Sequence, residues 1–547
     1  MSRVQGPATG AARSPDPRAG GPLDPGPRGR IGRRVARALE LWWRIAPRGR
    51  PELRATLTVL GGSAMALVGS FLARVLMARA LAPAELGLLL LAIAIASPLA
   101  GVLSLGLSPA AALVVASRRA GGDLAGARST AASALAIAGA SAVAGVATVW
   151  LSAPLLARLF AVGGGERALR DLLWAVSPLV LSMPLGQAML GIHRGFGGAT
   201  ARAVLRDGGG GAARTLGVAL AALAGGGATW IALAFALGVA IADGAYVAYG
   251  VIRGWVGRIR LAFDRELVSR LRGFAPLQAA IVLRRWVDVL AVGMVLEPRQ
   301  VGLYGLARGF GRVFEAILTA PAHSFLPTAT TLDDQALRPV HRRARELTLA
   351  LLWAPATLCL LSPAWVIVPF AGEEYRAAAP VLAWLALAAL IEVQWGFNQQ
   401  VLMARRGERG VLSVSLLTSL ALVVLVVALA PRLGVAGAAA AVAAVEGLRA
   451  LALSALLRRR GYRQPQPGRL AAPAVLALGA LAGVRVLGPL DDRIAAALTV
   501  IVAVIGVSVL GLAVLRSTRA DPPGPTRRPA DDGSTRPGGR RPGPPPA

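Results

Sequence analysis

Lysine is absent from the 547 residues: all 59 strongly basic side chains are arginine, against 28 acidic ones, for a formal net charge of +31. There is a single cysteine, Cys359, so no intrachain disulfide can form. Charged residues make up only 16% of the chain, well below the roughly one quarter of a soluble globular protein. These shortages exclude a soluble enzyme and a disulfide-held secreted scaffold. The three histidines, His193, His323 and His341, are scattered, with no cysteine or carboxylate at metal-ligand spacing, so no metal site and no cofactor are expected. The glycine-rich stretch Asp207–Arg214 lacks the lysine and the preceding strand of a nucleotide loop. It reads as a flexible lead-in to an apolar span.

What the chain has instead is hydrocarbon. Apolar residues account for 55% of it, and its mean hydropathy is +0.59. They fall in runs of about 20 residues, the length of a bilayer-crossing helix, and not in the alternating segments of about 10 residues that build an outer-membrane barrel. The sequence therefore predicts an all-α, polytopic membrane protein. Fourteen spans are expected, near 56–80, 85–107, 128–151, 168–192, 201–223, 227–252, 273–296, 303–328, 347–370, 378–403, 411–430, 434–457, 470–488 and 494–515.

The arginines cluster in the two tails and in alternate loops, such as Arg118 and Arg119, Arg202 and Arg206, Arg253 to Arg272, Arg342 to Arg345, and Arg458 to Arg460. Nucleic-acid binders gather charge on a folded face with readable motifs; none is present, so nucleic acid is not an expected partner. The bias sets topology: by the positive-inside rule both termini are cytoplasmic, in a multi-pass protein of the cytoplasmic (inner) membrane. Residues 1–54 form a basic tail without the apolar core of a cleaved signal peptide. Within it, 31–50 fits either an interfacial helix attracted to anionic lipids or an ordinary basic linker. Lobes of six spans are expected over 55–252 and 273–457, joined by a basic loop at 253–272. Two extra spans follow over 458–515, then a basic tail over 516–547. A short repeat supports the two lobes: LAPAELG at 81–87 after the first span, and LEPRQVG at 296–302 after the seventh. Such duplication marks alternating-access transporters.

The turn RALAPAELG at 79–87 resembles the opening of the polysaccharide-export proteins, oligosaccharide flippases of the multidrug/oligosaccharidyl-lipid/polysaccharide (MOP) superfamily. Asp288 followed by GLYGLAR at 302–308 resembles the start of that family's second lobe, and FAGEEYRAAAPVL at 370–382 its outer turn before span ten. The resemblance implies a MATE-like, two-lobed helical transporter. It would move a polyprenyl-pyrophosphate-linked oligosaccharide from the inner to the outer leaflet without making or breaking bonds. Partners would be that lipid-linked glycan, anionic lipids at the basic tails, and a glycan polymerase or other export machinery.

The ionisable residues inside the spans give a separate view of a site, because each costs about 2.5–3.5 kcal/mol to insert and so faces a bundle interior or water. Span seven carries Arg284, Arg285 and Asp288; Arg284 lies about 16 Å from the inner edge at 1.5 Å per residue. Asp288 sits one turn on, placed to pair with it. Arg308, Arg312 and Glu315 share one face of span eight. These six leave an excess of guanidinium, and a pyrophosphate is a ligand that needs it, since guanidinium forks bind phosphate oxygens bidentately. Arg74, Arg284, Arg285, Arg308 and Arg312 are the candidate head-group residues. The alternative is mutual salt bridging, with Arg308 reaching back to the interface. Asp288, Glu315, Asp243 and Glu392 are candidate coupling or charge partners, and Glu446 with Arg449 a local pair. Three rivals stand beside this reading: a lipid II flippase, a multidrug or cation antiporter, and a membrane-embedded glycan polymerase. The last is opposed by outer loops too short for a catalytic domain.

Overall fold

The computed structural model describes residues 51–198, 200–257, 264–464 and 502. The expected interfacial helix at 31–50, spans thirteen and fourteen and both tails lie outside the described residues. Every regular element among those described is helical, with no strand. Eight helical stretches are long and apolar enough to cross a bilayer. The chain is a multi-pass membrane protein.

The helices are α1 (Pro51–Ala80), α2 (Pro83–Leu103), α3 (Leu107–Ala120), α4 (Leu124–Phe160), α5 (Glu166–Ala175), α6 (Ser177–Gly195), α7 (Gly209–Leu223) and α8 (Ala228–Ile252). They continue with α9 (Arg265–Val295), α10 (Pro298–Thr331), α11 (Asp334–Leu361), α12 (Ala364–Ala371), α13 (Ala379–Gln394), α14 (Asn398–Ala404) and α15 (Glu408–Arg459). The run read as span two, 85–107, matches α2; at its end Leu105 and Gly106 take left-handed backbone angles (φ 49° and 70°), so α3 leaves as a separate helix over residues read as loop. At the other end, α15 is two helices merged across Gly434 (φ 61°, ψ −148°), three residues after Pro431. That break falls between the two spans the sequence separates. Helices α9 and α10 have 31 and 34 residues, ample to cross about 30 Å of hydrocarbon; they carry most of the ionisable residues singled out above.

Aspartates in the arginine-bearing loops start helices by accepting the orphan N–H groups of the first turn. Asp123 accepts from Gly126 N at 2.7 Å, and Asp333 from Ala336 N at 2.8 Å. Asp264 caps α9 through Glu266 N and Leu267 N, and is itself held by Thr130 Oγ1 (2.6 Å) and Arg118 (2.8 Å). The acids of these loops are structural.

The described residues fall into two packing units. The first lies within 1–313, 363–385 and 409–449, the second within 314–362, 386–408 and 450–547. In the first, α2 is the central post. It is apolar all round from Leu86 to Ala96 and buried over that length, as a helix without a polar face must be. The second unit is pinned by Arg405. Its guanidinium donates to the carbonyls of Ala329 (3.1 Å) and Leu332 (2.8 Å) and to Asp334 (2.8 Å), gathering the end of α10 and the start of α11. His341 donates from Nε2 to the Gly396 carbonyl (3.0 Å), which leaves Nδ1 to accept from Tyr462 OH (3.1 Å). Burial pushes the Tyr462 phenol up to about 12, so it stays a donor.

The two repeated turns meet each other. Pro83 and Pro298 each open a helix, the position where a missing N–H is harmless. One turn on, Gly87 lies so close to the Pro298 carbonyl that a Cβ there would sit 1.8 Å from its oxygen; a Cβ on Gly302 would sit 2.0 Å from the Pro83 oxygen. The contact is reciprocal, and the prolines and glycines of LAPAELG and LEPRQVG are the residues that form it. Nearby, Arg79 donates to the carbonyls of Phe370 (2.6 Å) and Pro369 (2.5 Å), and Tyr375 OH to that of Leu81 (2.8 Å), tying α12 and its following turn to the end of α1.

Candidate functional site: an arginine-lined cavity in the first unit

The first unit holds an open cavity of about 420 Å³. Six arginines line it, Arg74, Arg202, Arg206, Arg214, Arg285 and Arg312, against two carboxylates, Asp207 and Asp243. The remaining wall includes Ser97, Gln187, Trp286 and Phe235 beside aliphatic side chains.

Each arginine is placed by a local feature of the chain. Arg74 of α1 lies across two glycines of α10: its Nη1 donates to the Gly305 carbonyl at 2.9 Å, and a Cβ on Gly309 would meet its Cδ at 2.5 Å. Arg202 and Arg206 sit on a π-helical turn, Arg202–Gly208, which widens the backbone just before α7. Arg214 follows in the second turn of α7, its Nε donating to the Gly210 carbonyl (3.0 Å) and its guanidinium over the Phe235 ring. Arg285 and Arg312 come from the middle of α9 and α10.

The glycine-rich stretch that leads into α7 corrects an expectation. Asp207–Arg214 is helical and tightly packed, not a flexible lead-in. A Cβ on Gly69 of α1 would meet Gly211 Cα at 2.7 Å, and Thr215 Oγ1 donates to the Gly69 carbonyl at 2.8 Å. Glycine here serves helix contact. The loop arginines Arg202 and Arg206, read from sequence as topology markers, thereby become cavity residues. Arg202 and Arg206, four residues apart on one helical face and followed by Asp207, were the signal available; the π-turn that re-aims those side chains leaves no mark in composition.

The carboxylates are held unequally. Arg206 Nε donates to Asp243 Oδ1 at 2.7 Å, while Arg202 lies 3.1 Å from Asp207. Asp243 is 2% exposed, and its Oδ2 has no hydrogen-bond partner among the described residues.

Of the residues proposed from sequence, the structure brings Arg74, Arg285, Arg312 and Asp243 to this cavity. Arg308 and Asp288 form a pair beside it. Arg308 is ion-paired with Asp288 and donates to the Arg285 carbonyl at 3.1 Å, and Tyr304 OH donates to Asp288 at 2.9 Å. Asp288, expected to pair with Arg284 on its own helix, is engaged across to α10. Arg284 lies on an exposed face of α9 and is not among the lining residues. Glu315 and Glu392 belong to the second unit and do not line the cavity. Glu446 and Arg449 form the i,i+3 pair that their spacing suggests, at 2.6 Å.

No family model matches the chain, and no curated protein matches it in sequence. Solved structures share its fold. The lipid II flippase MurJ in an inward closed conformation superposes with a TM-score of 0.69 at 14% identity, over 85% of this chain and 100% of that one. An inward-facing multidrug resistance MATE family transporter of the MOP superfamily gives 0.59 at 16% identity, over 76% and 96%. A MOP superfamily transporter from Pyrococcus furiosus, described as having a binding pocket of reversed polarity, gives 0.51 at 15%, over 76% and 96%. The chain has the MOP-transporter fold.

Proposed function

We propose that the protein is a flippase carrying a polyprenyl-pyrophosphate-linked oligosaccharide from the inner to the outer leaflet of the cytoplasmic membrane by alternating access, for export of a cell-surface polysaccharide. The observation that carries the proposal is the cavity's charge. Six guanidinium groups and two carboxylates line the cavity among apolar helices, and charged side chains set within spans are stable beside water or a counter-charge. A lipid pyrophosphate supplies the anion and leaves its tail in the hydrocarbon. Arg74, Arg285 and Arg312, from three different helices, are positioned to share its oxygens. Arg206 and Arg214 extend the basic wall toward α8.

The fold is shared with transporters of lipid-linked and of drug-like cargo, and the cavity's basic lining supports the lipid-linked reading. A cationic drug prefers an acidic pocket, so the antiporter reading is disfavoured. A lipid II flippase requires the same pyrophosphate chemistry, and the extent of the MurJ superposition favours it as the second reading. Depletion of the protein distinguishes them. Accumulation of a lipid-linked polysaccharide repeat unit on the cytoplasmic leaflet is the expected result. Accumulation of the peptidoglycan precursor points to lipid II, and unchanged lipid-linked glycans with altered drug tolerance overturn both.

A further inference from the structure

We infer that Asp243 is the cavity's internal counter-anion, displaced from Arg206 when the ligand's phosphate arrives, and that it takes up a proton as it is displaced. The inference rests on the phosphate-binding reading of the cavity and adds what that reading lacks, a coupling between cargo and protons.

The geometry is that of a pair built to exchange. Arg206 lies on a π-turn at the cavity wall, and its guanidinium reaches Asp243 Oδ1 by a single 2.7 Å bond through Nε. The second carboxylate oxygen, Oδ2, is buried with no hydrogen-bond partner among the described residues. Asp264, at a helix start, has both oxygens filled by contrast. Against the carboxyl on the other side lies Gly186 of α6, where a Cβ would come within 2.2 Å of Oδ1. The backbone there packs onto the acid and supplies no charge.

Few groups stand near enough to take over. The π-turn presents Arg206, with Arg202 and Asp207 paired to each other, and α7 presents Arg214. Helix α6 presents Gly186, Gln187 and the neutral hydroxyl of Ser182, which hydrogen-bonds the Asp243 carboxyl, and α2 presents Ser97. Arg74, Arg285 and Arg312 complete the charged lining from α1, α9 and α10. One helical turn along α8, Tyr246 is engaged with His193 Nδ1 at 2.7 Å. Arg206 is therefore the cation bonded directly to Asp243, and it is also a cavity-lining donor suited to phosphate. A phosphate that claims Arg206 strips a buried carboxylate of its counter-charge, and such a group is stabilised by a proton. The exchange balances: the Arg206–Asp243 ion pair, a ligand anion and one proton give an Arg206–anion pair and a neutral Asp243 carboxyl. The proton is drawn from the solvent.

The test measures inorganic pyrophosphate binding to the full chain in nanodiscs by calorimetry, in buffers of different ionisation enthalpy, with wild type beside Asp243→Asn. Pyrophosphate's own titration is common to both proteins and cancels. Wild type is expected to take up about one proton more than D243N for each pyrophosphate bound. Its affinity should fall, relative to D243N, by up to tenfold for each unit of rising pH, the slope that one linked proton sets. Difference infrared spectra of wild type should gain a protonated-carboxyl band on adding pyrophosphate, a readout that stands even where D243N folds poorly. Equal proton uptake in the two proteins, or no such band, overturns the role of Asp243 and leaves the cavity reading intact. No pyrophosphate binding by either protein overturns the cavity reading and the inference with it.

Discussion

The reciprocal contact between the two repeated turns makes a quantitative prediction. In Gly87→Ala the new methyl carbon would stand 1.8 Å from the Pro298 oxygen, and in Gly302→Ala 2.0 Å from the Pro83 oxygen. Both fall short of ordinary van der Waals contact by about 1.5 Å, and both obstacles are backbone carbonyls, with no side-chain rotamer to give way. The starts of α2 and α10 must part. Overpacking of this kind costs about 1–3 kcal/mol, and the rigidity of the obstacle places each single substitution near the upper end. One displacement relieves both clashes, so the double variant is predicted to cost about the same as either single. The non-additivity should approach 3 kcal/mol, the upper range for residues in direct contact. Thermal unfolding of purified protein in a single detergent reads this directly: each single substitution lowers the midpoint, and the double lowers it little further. Strictly additive losses, or a wild-type midpoint in either single, would falsify the reciprocal packing.

Three further outcomes are expected. Arg285 meets no carboxylate among the described residues, so Arg285→Ala should weaken pyrophosphate binding about 10–100-fold, the range of one charge-assisted hydrogen bond of 1.5–3 kcal/mol, at unchanged membrane abundance; wild-type binding and transport would remove Arg285 from the site. Tyr304→Phe takes a 2.9 Å donor from the buried Asp288 carboxylate, at a cost of about 1–3 kcal/mol in stability, and an unshifted melting midpoint would show that Arg308 alone satisfies that acid. Arg405→Lys keeps the charge but cannot span the carbonyls of Ala329 and Leu332 together with Asp334. It should therefore be nearly as destabilising as Arg405→Ala in the same assay, whereas full rescue by lysine would reduce the cluster to simple ion pairing.

Much of the fold was legible in the linear chain because burial in hydrocarbon imposes a uniform rule. Every backbone polar group has to be bonded within its own segment, so apolar length alone identifies a helix. The break near Gly434 and the paired turns LAPAELG and LEPRQVG were visible for a similar local reason: Pro and Gly carry their backbone constraints wherever they stand. The separation of α3 from α2 was not visible, since Leu105 adopts a left-handed angle that its own chemistry disfavours and only its surroundings impose.

The candidate site divides along the same line. Sequence alone placed arginine within the spans and singled out Arg74, Arg284, Arg285, Arg308 and Arg312, with Asp243, as costly there. Only tertiary structure decided which charges meet. It matched Asp288 to Arg308 and Tyr304, left Arg284 off the cavity, and turned the Arg202–Gly208 segment from a basic loop into a cavity wall. Insertion cost depends on a residue's own chemistry and depth. Pairing depends on distances of 3–4 Å between helices far apart in the chain, and a π-turn or a glycine contact shifts those distances with no trace in the hydropathy of either partner.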